Sequence, residues 1–261
     1  MRQISVAVAY LRAILSVVKG FPMNTNISKP KLMKKIFMKL EYIVSCYFFI
    51  RSTNYKNLGI KFFGIANNTN ELTSMRDDGI YEKPMVDRFV EDAKNSRVFF
   101  DIGGNIGNYS IIYKKVSYGV CYCWEPEYRY IFLHWLNQLV NFKNWRNVYI
   151  YRKFVSNHDD NNTVCLNNFS KINNVYPDLM KIDVEGAEAE ILPSLDKGFF
   201  KKNLKIYLEF HPVDIERNFE LDPYEFIEFI WENFSTIELN VNHWGRVQKD
   251  PPWSLERNNQ K

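Results

Sequence analysis

The stretch Val98–Tyr113, VFFDIGGNIGNYSIIY, decides the fold: an apolar strand reaches an acid, passes through a glycine turn and continues as a helix. Ligands of parallel α/β sheets sit beyond the carboxyl ends of the strands, so a turn placed there is a seat for a small molecule. Gly103, Gly104 and Gly107 follow Asp101 closely. Glycine tolerates positive φ and lets a ligand approach the backbone. The order D-I-G-G-N-I-G departs from the G-x-G-x-x-G of dinucleotide sites, where a helix N-terminus holds the pyrophosphate. A carboxylate just ahead of the turn also repels a phosphate and attracts a cation.

The next strand points the same way. YGVCYCWEPE ends at Glu125, and Pro126 cannot continue the ladder. An acid at that strand end can accept hydrogen bonds from both ribose hydroxyls of a nucleoside. A nucleoside that also carries an amine and a sulfonium suits both acids, and S-adenosylmethionine (SAM) is such a ligand.

From residue 97 onward the rhythm is regular. RVFFDI, YGVCYCW, WRNVYIYRKFV, PDLMKIDV, LKIYLEF and STIELNV read as strands, and IGNYSIIYKK, EYRYIFLHWLNQLVNF, GAEAEILPSL and DPYEFIEFIWENF as helices. Alternation with short connections predicts right-handed βαβ units and a mostly parallel sheet covered on both faces. A polar linker is expected after WRNVYIYRKFV, and weak order in the tail DPPWSLERNNQK. Upstream, NLGIKFFGIA reads as a strand or hairpin, NNTNELTSMRDDG as a loop and YEKPMVDRFVEDA as a helix.

The 261 residues suffice for one α/β domain with an extension, and 46% apolar with 25% charged residues excludes global disorder. Residues 1–70 hold eleven Lys and Arg against Glu41 alone, a net +10 that leaves −6 for the rest of a chain of total charge +4. Residues 1–21 and 30–50 read as helices, the second with Leu32, Ile36, Leu40, Ile43 and Val44 on one side and lysines elsewhere. The expected division is a basic helical extension at 1–60 and a ligand-binding domain at 61–261. The extension suggests packing on the main domain or contact with a membrane surface or acidic partner. Arg12 and Lys19 interrupt the apolar opening, so neither a membrane span nor a secretory leader is expected and the protein reads as cytoplasmic, with membrane association through the arm as a further option. Cys121 and Cys123 share a strand face, and the four cysteines match neither a redox pair nor zinc spacing.

Three blocks, VFFDIGGNIGNYS, WEPE and PDLMKIDVEGAEAEIL, carry a family resemblance. With the trailing IYLEFHP, the chain resembles the FkbM-type SAM-dependent methyltransferases, a branch of the class I methyltransferase fold, over roughly Tyr81 to Pro212. Many relatives have Ala where this chain has Gly104. The resemblance implies a Rossmann-like, mostly parallel seven-stranded sheet sandwiched by helices. It implies SAM contacts at Asp101, Gly103, Asn105, Gly107 and Glu125, with Gly104 and Pro126 in the same turns. Asn105 could equally cap the following helix. The adenine would meet residues after the third strand, Val155, Ser156 and Asn157.

Methyl transfer to a hydroxyl requires a group that orients the acceptor and takes its proton. Asp183 and Glu185 in KIDVEGAE, and Glu209 and His211 two apart in LEFHP, are the candidates. Glu185 could instead favour a helix N-terminus, and His211 is a candidate base because its ordinary pKa lies near neutrality. No metal is expected as a required cofactor; joint binding of Mg or Mn by these four residues is the lesser alternative. The leading expectation is O-methylation of a sugar, glycolipid or other small-molecule acceptor. The alternatives are an RNA methyltransferase, disfavoured by the acidic domain and by DVEG in place of an N-P-P-Y-like base cradle, and a non-catalytic SAM-binding protein.

Overall fold

The computed structural model describes residues 50–55, 58–65, 83–142, 147–201, 203–239 and 253–256. The chain forms two compact units, 1–49 and 50–261. The helices expected at 1–21 and 30–50 lie outside the described residues, save the last residue of the second, Ile50, which is a strand residue.

A hairpin of β1 (Ile50–Tyr55) and β2 (Ile60–Ile65) opens the second unit, with Gly59 at φ +61 in its turn. Helix α1 (Lys83–Asn95) follows; its apolar residues at three-and-four spacing bury Val86, Phe89 and Ala93. Then come β3 (Val98–Ile102), α2 (Asn108–Val116), β4 (Val120–Trp124), α3 (Tyr128–Asn141) and β5 (Val148–Tyr151). The series continues with β6 (Phe154–Ser156), β7 (Thr163–Cys165), α4 (Leu166–Asn173), β8 (Leu179–Ile182) and α5 (Glu188–Ser194). It closes with β9 (Lys205–Leu208), α6 (Pro212–Phe219), α7 (Pro223–Asn233), β10 (Thr236–Leu239) and β11 (Trp253–Glu256).

The main sheet is parallel in the order β5-β4-β3-β8-β9. Side chains alternate across it, so each central strand feeds two cores. Phe99, Cys121, Cys123 and Leu179 join Phe89, Ile111, Tyr113 and Phe62 on one face. Phe100, Trp124, Met180 and Ile182 join Ile191, Ile215 and Phe226 on the other. Cys121 and Cys123 are free and buried, and burial pushes both thiols up. The free edge of β2 is closed by side-chain amides of α3. Asn137 exchanges hydrogen bonds with Phe63 (2.7 and 3.0 Å), and Asn141 does so with Lys61 (2.8 and 2.6 Å). One helical turn apart, the two amides imitate a neighbouring strand.

The sheet differs from the expected seven strands: five form it among the described residues. WRNVYIYRKFV breaks at Arg152, and its second half, β6, pairs with β7 in a separate two-stranded sheet. Strand β10 pairs antiparallel with β11 from the tail instead of joining β9. The expected polar linker contains β7 and α4, held by Asp159, which accepts from the Cys165 N–H (2.9 Å) and Asn168 Nδ2 (2.6 Å). Among the described residues no helix is long and apolar enough to cross a membrane.

Candidate functional site

Sheet order brings one acid per strand to a single edge. Glu125, Asp101, Asp183 and Glu209 lie at or just past the carboxyl ends of β4, β3, β8 and β9, which are successive neighbours. Such an edge, with two helices starting nearby, is where this architecture binds ligands.

Asp101 is 1% exposed. Its Oδ2 accepts from the backbone N–H (3.1 Å) and hydroxyl (2.5 Å) of Ser110, in the first turn of α2, where helix N–H groups lack intrahelical partners. Its Oδ1 is buried and has no hydrogen-bond partner among the described residues. Lys181 is its register partner on β8 and is itself buried. The ammonium bonds Asp183 Oδ2 at 2.7 Å and lies 5.0 Å from the Tyr109 ring centre. Burial pushes the Asp101 carboxyl above its ordinary value, against the pull of Lys181.

The glycines answer first to the chain's own packing. Gly103 has φ +78, and a Cβ there would sit 1.8 Å from the Asp183 carbonyl oxygen. A Cβ on Gly104 would meet Cys123 Sγ at 2.1 Å, and one on Gly107, at φ +87, would enter the His134 ring. The turn is thus drawn against β8, β4 and α3 together. Gly107 is the residue before α2 and caps it without a side-chain bond, so Asn105 is not its cap. Asn105 has φ +46, and its N–H donates to Glu125 Oε2 at 2.9 Å. Glu125 Oε1 accepts from the Glu127 N–H at 2.8 Å. Burial pushes this carboxyl up as well, and each oxygen keeps lone-pair capacity for a further donor. The Pro126 carbonyl accepts from Arg152 Nε at 3.3 Å. Ser156 bonds His158 Nδ1 (3.0 Å) and Glu190 (3.4 Å); Val155 is buried and Asn157 exposed.

On the β8–β9 side, the structure gathers three of the four expected catalytic residues. His211 Nε2 is 3.8 Å from Asp183 Oδ1 and 3.7 Å from Glu209 Oε1. Glu185 stands apart: it is exposed, at φ +51 in the turn before α5, and outside this cluster. Gly186 beside it has φ +107 and abuts the Asp214 backbone of α6. Burial pushes the Asp183 carboxyl up, but Lys181 and then His211 outweigh it and leave it below its ordinary value.

Lys181 and Glu188 were not among the expected site residues. Glu188 is fully buried at the start of α5. Its Oε2 accepts from the Gly186 N–H (2.8 Å), and its Oε1 accepts from the His211 N–H (2.8 Å) and faces Nδ1 at 3.3 Å. That bond, with the surrounding carboxylates, pushes His211 up to about 9, so the ring is protonated at neutral pH rather than poised there as its ordinary pKa suggested. A lysine interrupting the otherwise apolar LMKI of a fully buried strand was the available signal for Lys181.

His134, under the turn, is the opposite case. It is buried, its Nε2 is unpartnered among the described residues, and burial lowers it to about 3. A neutral imidazole that must charge on unfolding makes stability fall with pH. The loss begins near the unfolded value, 6.5, and continues to about 3, on the order of 1 kcal/mol per pH unit. The raised carboxyls of Asp101 and Glu125 slope the other way. The comparison is therefore between wild type and His134→Gln: urea unfolding across that range should show a shallower acid loss in the variant.

Residues 132–244 match the family described as Methyltransferase FkbM domain. The match begins inside α3, so it contains DVEG and LEFHP but not the glycine turn or WEPE. No curated protein matches the chain. Among solved structures, it is similar to a precorrin-6y C5,15-methyltransferase from Geobacter metallireducens (17% identity, 68% of this chain and 84% of that one, TM-score 0.42). It is also similar to a putative caffeoyl-CoA O-methyltransferase from Staphylococcus aureus (18%, 61% and 79%, 0.43). A third is an SAH-bound methyltransferase from Podospora anserina (13%, 59% and 72%, 0.43). The domain match over residues 132–244 and the Rossmann-like parallel sheet together support a SAM-dependent methyltransferase, with the FkbM likeness confined to the matched segment.

Proposed function

We propose that this methyltransferase acts on a hydroxyl oxygen of a sugar, glycolipid or other small-molecule acceptor. One observation carries the reading: four adjacent strand ends each present an acid, which suits a cationic donor and an oxygen-rich, hydrogen-bonding acceptor.

SAM fits the residues of the β3–β4 side. Asp101 Oδ1, unpartnered among the described residues, offers a buried acceptor there, and the turn has no side chain at Gly103, Gly104 and Gly107. Asp101, Gly103, Gly104, Asn105 and Gly107 would hold the methionine part, Glu125 and Pro126 the ribose side, and Ser156 the adenine side. When bound, SAM supplies an electrophilic methyl group on a sulfonium. Asp183, kept ionised by Lys181, would orient the acceptor hydroxyl, and Glu209 would receive its proton as the oxygen–carbon bond forms and the carbon–sulfur bond breaks, with the neutral thioether as leaving group. His211, already protonated, balances the charge of these carboxylates. Glu185, on the exposed turn, borders the acceptor rather than touching the transferred group. The division into a basic extension at 1–60 and a methyltransferase domain at 61–261 belongs to the same proposal, with the extension docking on membranes that display the acceptor and the enzyme residing on the cytoplasmic side.

The test is incubation of the full chain with methyl-labelled SAM and fractionated glycans, lipids and RNA. Label in a glycan or lipid fraction supports the reading; label in RNA alone overturns it.

A further inference from the structure

We propose that Asp183, Glu209 and His211 form a binding site for a divalent cation of the Mn²⁺ or Mg²⁺ class. The topology makes the juxtaposition. Strands β8 and β9 are parallel neighbours with Ile182 opposite Leu208, so the residues that leave them, Asp183 and Glu209, emerge side by side. His211, two residues beyond Glu209, turns back to the same place.

The distances suit one ion. His211 Nε2 lies 3.8 Å from Asp183 Oδ1 and 3.7 Å from Glu209 Oε1, and one donor atom from each residue falls within 4.8 Å of the others. Donors about 2.1–2.3 Å from a shared octahedral ion are roughly 3–4.5 Å apart, so a small inward movement closes the site.

The supporting bonds lie outside this triangle and select its atoms. Glu188 engages His211 at Nδ1 and at the backbone N–H, which leaves Nε2 facing the two carboxylates. The ion takes the place of the Nε2 proton that the ring carries in its absence, and so replaces the protonated ring as the charge that balances Asp183 and Glu209. A carboxylate behind the far nitrogen is the arrangement that orients metal-binding histidines. Lys181 takes Oδ2 of Asp183 and leaves Oδ1 toward the ring. The three side chains are 20–34% exposed, which leaves the opposite side of an ion open to solvent or ligand. One imidazole and two carboxylates suit Mn²⁺ or Mg²⁺ better than a soft metal. Three protein donors leave about three of six positions. That selects an acceptor able to offer two neighbouring oxygens, such as a vicinal diol. The acceptor class rests on the methyl-transfer reading above, whereas the cation site does not.

The experiment is Mn²⁺ titration of the chelator-treated full chain, read by the loss of the free-ion electron paramagnetic resonance signal. Wild type should bind one Mn²⁺ per chain. Glu209→Gln, at a part-exposed position, should weaken binding at least tenfold. Glu188→Gln, at a positioning residue, should weaken it about 10–100-fold. Mg²⁺ should compete for the same site. No saturable Mn²⁺ binding by wild type, or binding unchanged in Glu209→Gln, overturns the site. Because no transfer is measured, either outcome is separate from whether hydroxyls are the enzyme's targets.

Discussion

Gly103→Ala should lose more than about 2 kcal/mol of stability and abolish methyl transfer. Two physical costs coincide at this position. A non-glycine residue at φ +78 is strained by about 1–3 kcal/mol, and the new Cβ would lie 1.8 Å from the Asp183 carbonyl oxygen. That oxygen is backbone, so relief requires moving the end of β8 and the Asp183 side chain with it. Gly59→Ala is the internal control. It has a similar φ, +61, but its Cβ would meet nothing within 4 Å among the described residues. Thermal melts should show a fall for Gly59→Ala that reflects φ alone and a much larger one for Gly103→Ala. Equal falls would mean that the close approach of the turn to β8 contributes nothing.

Lys181→Met should cost about 3 kcal/mol and lower turnover on the order of a hundredfold, with the stability loss shrinking as pH falls. The lysine is the buried cation between Asp101 and Asp183, and the methionine leaves two acids facing each other at the ends of neighbouring strands. The sign follows from the carboxyl of Asp101, whose folded pKa is already above its ordinary 3.8 and rises further without the ammonium. Between the unfolded and folded values the native state holds a proton that the unfolded chain lacks, so acid restores stability. Urea unfolding across pH reads this directly. A stability deficit independent of pH would mean that Lys181 acts through packing on Tyr109 and not through the acids.

The parts of the molecule that were legible beforehand are those with strong local signals. VFFDI and LMKI are apolar runs of strand length, and α1, α3 and α7 place their apolar residues at helical spacing. Glycine next to acid marked the turn, and strand ends marked Glu125, Asp183 and Glu209. What sequence pattern could not supply was pairing. Nothing local says that β10 prefers β11 to β9, and the tail pattern Trp-Ser-Leu-Glu gains meaning only once its partner is known. Helix α4 hid in an asparagine-rich segment because it is held by the Asp159 side chain and buries only Leu166 and Ser170. The role of the glycines was half legible: their need for room was clear, but the neighbours that fill that room, Asp183, Cys123 and His134, come from three other elements. Glu188 escaped notice because its partner, His211, is 23 residues away, beyond any spacing rule.

The central claim is that the acid-edged glycine turn seats a sulfonium-bearing nucleoside, with Glu125 as its ribose partner. Isothermal titration of SAM into the full chain and into Glu125→Ala tests it most directly. The account predicts a single saturable site in wild type, weakened at least tenfold in the variant, and no comparable binding of NAD. Wild-type protein that takes up NAD and not SAM, or a variant that binds SAM as tightly as wild type, would contradict it.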